Sequence, residues 1–399
     1  MTASPSAATA PEPGYDAILL AGFGGPEGQD DVLPFLRNVT RGRGIPDERL
    51  EEVATHYRAM GGISPINDQN RVLLDALRAE LADRSIALPV FWGNRNWDPY
   101  LADAVTEAKQ QGRVRLLAIA TSAYSSYSSC RQYRENFAQA LIDTDSVGTV
   151  TIDKIQPYFD QPGFLDPFVD ATAKAVRQAI DAGFTPDEIE VVFSTHSIPD
   201  PMADTSGSAT LGDHRRGGAY VTQHLAAGQY VIDRVVADSA FLQGIRWQLA
   251  YQSRSGAPSA PWLEPDINDV LKGLAADGRR AIVCVPIGFV SDHMEVIWDL
   301  DTEAAQTAAN LDLAFWRIPT PGVDPRFVTG LIDLVAERLG RGLPRESVLS
   351  VPTRPNFCAP GCCVNARGVR PTTGAQDSAD DWAAARESAS TATVGGPRS

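Results

Sequence analysis

Histidine and cysteine are scarce in this chain, five of each in 399 residues. Cys130, Cys284, Cys358, Cys362 and Cys363 are odd in number and follow no secretory leader. That argues against a disulfide framework and leaves reduced thiols or metal ligation. Positive charge is also in deficit: 35 Lys and Arg stand against 50 Asp and Glu, a net charge of −15. The deficit argues against a nucleic-acid partner, because phosphate contacts need clustered cations; it suits a cationic substrate or plain solubility. Long apolar runs are missing too. Stretches such as Ala281 to Val290 fall well short of the ~18 residues of a membrane span. The opening MTASPSAATAPEPG has neither the basic nor the apolar region of a signal peptide. Residues 1–14 are therefore expected to be a disordered leader, and the protein cytoplasmic without stable membrane insertion.

What is present is the composition of an ordinary globular protein, 43% hydrophobic and 21% charged, with ample length for a core. Tyr15 to Phe23 reads as a buried strand turning at Gly24-Gly25-Pro26 into an acidic-started helix. The turn lacks GxGxxG spacing, so dinucleotide binding is set aside. Further strands are expected at Leu88–Trp92, Val114–Ala120, Val147–Ile155, Glu190–Thr195, Ile245–Gln252, Arg280–Phe289 and Leu311–Arg317, each separated from the next by helical patterns. Alternation of this kind means parallel sheets covered on both faces. The expected fold is α/β, with two similar lobes of four strands each. The first lobe spans 15–155, completed by a helix over 325–340, and the second spans 156–324. A Pro-, Gly-, Ser- and Ala-rich tail follows over 341–399, disordered after about 364.

Two stretches carry chemistry. In VVFSTHSIP, an apolar strand ends in His196, and the carboxyl ends of parallel strands form the crevice where ligands bind. A lone histidine there also serves as a structural hydrogen-bonder. The second stretch, AIVCVPIGFVSDHMEVIWDLDTE, sends another strand into a helix carrying Glu295, Asp299 and Glu303 at i, i+4, i+8. Like charges at that spacing cost a few tenths of a kcal/mol each, so the row invites a divalent ion; it also suits a solvated helix N-terminus. His293, two residues from Glu295, is expected on a different helix face.

These blocks, with GFGGPEG after the first strand, HYRAMGGISPIN at 56–67, WQLAYQSRSG at 247–256 and PWLEPD at 261–266, resemble the ferrochelatases, which insert ferrous iron into a porphyrin. The resemblance runs from Tyr15 to Leu339. It implies two Rossmann-like lobes gripping the porphyrin, with His196 and Glu295 facing across it as proton acceptor or Fe²⁺ ligand. Asp299 and Glu303 would form a proton or metal conduit, and Ser64 and Tyr133 would contact the porphyrin. The blocks are similar to the soluble actinobacterial type, which acts on coproporphyrin III; protoporphyrin IX, or a non-catalytic haem or iron carrier, are the alternatives. Arg41, Arg43 and Arg58 are candidates for propionate contacts. Members of this type can ligate product iron through a Tyr at the position held here by Phe23. A monomer is expected, with later haem-pathway enzymes as partners.

The cysteines complete the picture. Cys358, Cys362 and Cys363 lie within six residues, a ligand pattern that needs a fourth thiol for zinc or a [2Fe–2S] centre, and Cys130 is the candidate. Cys284 falls inside an apolar strand. The resemblance implies a [2Fe–2S] cluster on Cys130, Cys358, Cys362 and Cys363.

Overall fold

The computed structural model describes residues 14–42, 44–237, 240–255, 259–341 and 346–394. Eight strands form two four-stranded parallel sheets. β1 (Ala17–Gly22), β2 (Val90–Asn94), β3 (Arg115–Ala120) and β4 (Thr151–Lys154) lie in the order β2-β1-β3-β4. β5 (Ile189–His196), β6 (Arg246–Gln252), β7 (Ala281–Val285) and β8 (Ala314–Arg317) repeat it as β6-β5-β7-β8. The strand order reverses beside β1 and β5, so each sheet has its ligand crevice at the exits of its two central strands.

The strands read as unbroken apolar runs because helices cover both faces. In β1, Ile18 and Leu20 point into a core shared with the second sheet, while Ala17, Leu19 and Ala21 point into a separate cluster under helices Leu101–Gln110 and Gln132–Asp143. In β5, Val191 and Phe193 join the shared core, and Val192 lies in a cluster under helix Ile267–Ala276. Helices Pro162–Asp181, Gly218–Ala237 and Pro325–Arg338 contribute Phe164, Phe168, Val231, Phe327 and Leu331 to that shared core. Two of these helices touch closely, since a Cβ on Gly163 would meet the Arg326 carbonyl oxygen at 2.3 Å. Among the described residues, no helix is long and apolar enough to cross a membrane.

The strands form where periodicity placed them, most of them trimmed at their ends, while β5 extends one residue further each way to include His196 and β2 starts and ends two residues later than expected. Two features differ. Helix Met294–Val296 continues into a π-helical turn, Ile297–Ala304, before α-helix Ala305–Asn310, and single π turns cluster at functional sites. The tail expected to be disordered after about 364 instead runs on through a bridge between Cys358 and Ala375 to helix Ser378–Val394. Its composition hid the reason. Asp381 accepts both hydrogen bonds of the buried Arg131 Nη2 at 2.8 Å, and Asp377 accepts one from Arg134 at 3.0 Å. These guanidiniums sit more than 240 residues upstream. The expected leader over 1–14 lies outside the described residues apart from Gly14.

Removing Asp381 takes away the two 2.8 Å bonds of Arg131 but leaves that guanidinium Glu135 and Asp377, each at 3.4 Å, so the loss is that of charge-assisted hydrogen bonds, about 1.5–3 kcal/mol. Asp381→Ala is therefore expected to lower the unfolding free energy by about 2 kcal/mol and to expose the segment after residue 364 to limited proteolysis; denaturant titration and peptide mapping check both.

Candidate active site

His196 is the last residue of β5, paired in register with Gln252 of β6. Its Nδ1 hydrogen-bonds the Ser197 carbonyl oxygen. A carbonyl can only accept, so Nδ1 carries a proton, and in the neutral imidazole Nε2 is the nitrogen that presents its lone pair to the cleft. Opposite stands Glu295, whose Oε2 lies 3.7 Å from that Nε2, with both side chains partly exposed. The adjacent exits of β5 and β7 have brought together an imidazole and a carboxylate separated by some hundred residues of sequence.

The carboxylate row is graded rather than uniform. Asp299 accepts from the Ser253 hydroxyl and from Gln252 Nε2 at 3.3 Å, and Gln252 also donates to the Glu295 carbonyl oxygen at 3.0 Å. Burial pushes the Asp299 carboxyl up to about 7, with Glu295 and Glu303 adding to the rise and the Ser253 and Gln252 bonds opposing it. Glu303, at the exposed end, accepts from Trp298 Nε1 at 2.8 Å. Asp292 stands outside the row, paired with Arg317 at 3.0 Å.

His293 differs from its expectation. The helix begins at Met294, so His293 is an extended cap rather than a helical residue, and its Nδ1 accepts the Glu295 backbone N–H at 3.2 Å. Face arguments do not reach past a helix end. Burial pushes its imidazole down, Glu295 and Asp292 oppose that, and His196 adds to it, which puts His293 beside the pair. Gln252, Ser253 and Tyr57 are the residues that pattern reading passed over. Tyr57 is buried, and its hydroxyl is driven far above its ordinary range by that burial and by Glu295 and Asp299. Helices Val32–Val39 and Asp47–Ala59 form this lip of the cleft; their Phe35, Leu36, Leu50 and Tyr57 pack with Met294. Trp298 stacks on His56 at 4.4 Å.

The remaining expected contacts are scattered. Ser64 is buried against Gly25, and Tyr133 is buried under the Arg95 guanidinium at 4.7 Å. Arg41 and Arg58 are exposed, bonded to Asn38 at 2.6 Å and Glu51 at 2.7 Å. Arg43 lies outside the described residues. Phe23 packs edge-on against Phe35. A cavity of about 640 Å³ lies elsewhere, along edge strand β2 between Leu74 and Ala104, and contains none of these groups.

Four cysteines meet away from the cleft. Cys130 and Cys358 have their sulfurs 3.9 Å apart, Cys362 and Cys363 3.8 Å apart, and the Gly207 N–H donates to Cys363 Sγ at 3.2 Å. Hydrogen bonds from Cys130 and Cys362 hold the Cys363 thiol low against its burial. Among the described residues, no three His, Cys, Asp or Glu side chains converge on one metal position; the four sulfurs nevertheless touch one another, Cys130 with Cys358 and Cys363, and Cys362 with Cys358 and Cys363. Buried Arg134 flanks them with an Nη1 that has no hydrogen-bond partner among the described residues. Cys284 is apart from the group, in β7, its thiol pushed up to about 12 by burial.

The family model described as Ferrochelatase matches residues 15–339. This chain belongs to the ferrochelatase family. It is 56% identical over 368 residues to the coproporphyrin III ferrochelatase of Leifsonia xyli, covering 90% of this chain and 93% of that one. It is 51% identical over 370 residues to the coproporphyrin III ferrochelatase of Streptomyces coelicolor, covering 91% and 97%. The Rhodopirellula baltica relative, named ferrochelatase, is 43% identical over 353 residues, covering 88% and 94%. Membership makes this chain an enzyme that inserts metal into porphyrin, and the two-lobed parallel architecture is the one expected from its sequence.

Asp299 supplies a test of the site's electrostatics. Its carboxyl is raised from 3.8 to about 7, so across that window the folded protein holds a proton that the unfolded chain has released. Its contribution favours folding at low pH, weakens as pH rises towards 7 and is level above. Asp299→Asn is expected to gain stability relative to wild type on going from about pH 5 to about pH 8, measured by urea midpoints.

Proposed function

We propose that this ferrochelatase is a coproporphyrin III ferrochelatase, inserting Fe²⁺ with loss of two pyrrole protons in haem b biosynthesis. The observation that carries the mechanism is the His196–Glu295 pair, 3.7 Å apart at adjoining strand exits. Insertion needs a base for the pyrrole N–H groups and ligands that replace the waters of Fe²⁺. In the neutral imidazole the Ser197 carbonyl keeps the proton on Nδ1, so the Nε2 lone pair of His196 serves either need. Glu295 then stabilises the imidazolium or completes the metal's ligation. Asp299, titrating near neutrality, relays protons from this pair towards exposed Glu303, and the same oxygens give Fe²⁺ a stepped route inwards.

The choice of coproporphyrin rests on the names of the relatives and on exposed Arg41 and Arg58, which suit a tetracarboxylate better than a dicarboxylate. Arg43 is assigned to the same role, and Ser64 and Tyr133 to the porphyrin walls. The enzyme acts as a cytoplasmic monomer and passes its product to later haem-pathway enzymes. Phe23 provides no ligand atom, so product iron takes its axial ligand elsewhere.

Cys130, Cys358, Cys362 and Cys363 are assigned to a [2Fe–2S] cluster. Four sulfurs in mutual contact suit a two-iron centre, and buried Arg134, whose Nη1 has no hydrogen-bond partner among the described residues, brings positive charge beside an anionic one. When bound, such a centre supplies one-electron redox chemistry and a cross-link between tail and lobes.

Purified protein is expected to insert Fe²⁺ faster into coproporphyrin III than into protoporphyrin IX; the reverse preference overturns the substrate, and binding without turnover supports a carrier. His196→Ala is expected to lower kcat by about a thousandfold or more with an unchanged circular dichroism spectrum, and retained turnover removes its role. Cys362→Ser is expected to bleach a brown chromophore, while an unchanged visible spectrum removes that thiol from the ligand set.

A further inference from the structure

Tyr124 belongs to the first lobe by sequence and to the second by contact. It follows β3, yet its buried hydroxyl donates to the Ile287 carbonyl oxygen at 3.0 Å, in the turn that leaves β7. Its ring stacks on the imidazole of His224 at 3.6 Å and 15°, on helix Gly218–Ala237 of the second lobe. The neighbouring Ser125 adds two bonds to Gln223, at 2.8 and 3.0 Å.

Both contacts of Tyr124 lead to His196 and Glu295. The β7-exit turn is pressed onto β5: Gly288 N–H donates to the Ser194 carbonyl oxygen at 3.1 Å, and a Cβ on Gly288 would meet Thr195 Oγ1 at 2.0 Å. From that turn the chain runs to Glu295. On the other side, His224 Nδ1 lies 2.7 Å from the Tyr220 carbonyl oxygen, so Nδ1 carries the proton and Nε2 accepts from Thr195 Oγ1 at 2.9 Å. Burial pushes this imidazole down to about 3, which keeps it neutral. Tyr220 lies 2.9 Å from Thr195 Oγ1 and donates to the His196 carbonyl oxygen at 2.8 Å. One aromatic side chain from the first lobe thus bears on the backbones that carry both members of the pair.

We propose that Tyr124 is a positioning residue for metal insertion: by holding Ile287 and the His224 ring together from the first lobe, it sets how His196 and Glu295 face each other. The effect on turnover rests on the metal-insertion reading above; the placement of His196 does not.

The experiment compares Tyr124→Phe with Tyr158→Phe. Tyr158 is an internal control, another buried tyrosine whose hydroxyl donates to a backbone carbonyl, that of Ala120 at 2.9 Å, but Ala120 ends β3 in the first sheet and carries neither His196 nor Glu295. Tyr124→Phe keeps the ring stack and loses only the bond to Ile287. Two readouts are taken: steady-state Fe²⁺ insertion into coproporphyrin III, and the imidazole ¹⁵N resonances, which five histidines leave resolvable. Tyr124→Phe is expected to lower kcat about tenfold with KM for porphyrin within about twofold, and to move the His196 and His224 resonances. Tyr158→Phe is expected to lower the melting temperature comparably and to change neither kcat nor those resonances. Unchanged kcat and resonances in Tyr124→Phe, or equal changes in Tyr158→Phe, overturn the proposal. If wild type inserts no metal, the function falls, and the resonances still decide whether Tyr124 places His196.

Discussion

Parallel pairing of β5 with β7 is the constraint on which the site depends. Strands covered on both faces hold a charged side chain along their length only when it is paired, as Glu190 is with Arg279 at 3.4 Å, so unpaired polar groups are displaced to their exits. Two adjacent parallel strands have adjacent exits by construction. His196 closes β5, and the turn after β7 leads to Glu295; their 3.7 Å approach follows from the register of Phe193 with Val285 and the press of Gly288 on Thr195.

Around that pair the protein sets a gradient of solvation. Glu295 is partly exposed, Asp299 is buried enough to titrate near 7, and Glu303 is open to water. Gln252 ties the steps together, bonded to both the Glu295 backbone and the Asp299 carboxylate. The lip helices close the far side with apolar and aromatic packing, so the charged groups face a partly dehydrated space in which their interactions are stronger than in water.

The C-terminal tail is held by a different principle. Its composition lacks the apolar periodicity that announces a packed element, and its attachment is ionic: Asp377 and Asp381 pair with the buried Arg131 and Arg134, joining Glu135, which pairs with Arg131 from the same helix. The same helix start carries Cys130, so the sulfur group and the ion pairs share one anchorage. Arg354, paired with Asp213 in the second lobe, flanks it from the other side.

Read alone, the residues determine the parallel two-lobed architecture, because strand and helix periodicities are local and their alternation admits few topologies. They also single out His196 and the Glu295 row, since a polar group ending an apolar run is conspicuous. Tertiary structure decides the rest. That Asp299 differs from Glu303 depends on burial; that His293 caps the helix at Glu295 depends on where the helix begins; that Asp381 orders the tail depends on an arginine 250 residues away. Tyr124 reads in sequence as one more aromatic in a serine-rich loop, and only the docking of the lobes makes it a bridge between them. Desolvation and long-range pairing arise only once distant segments meet, so no local window of residues can encode them.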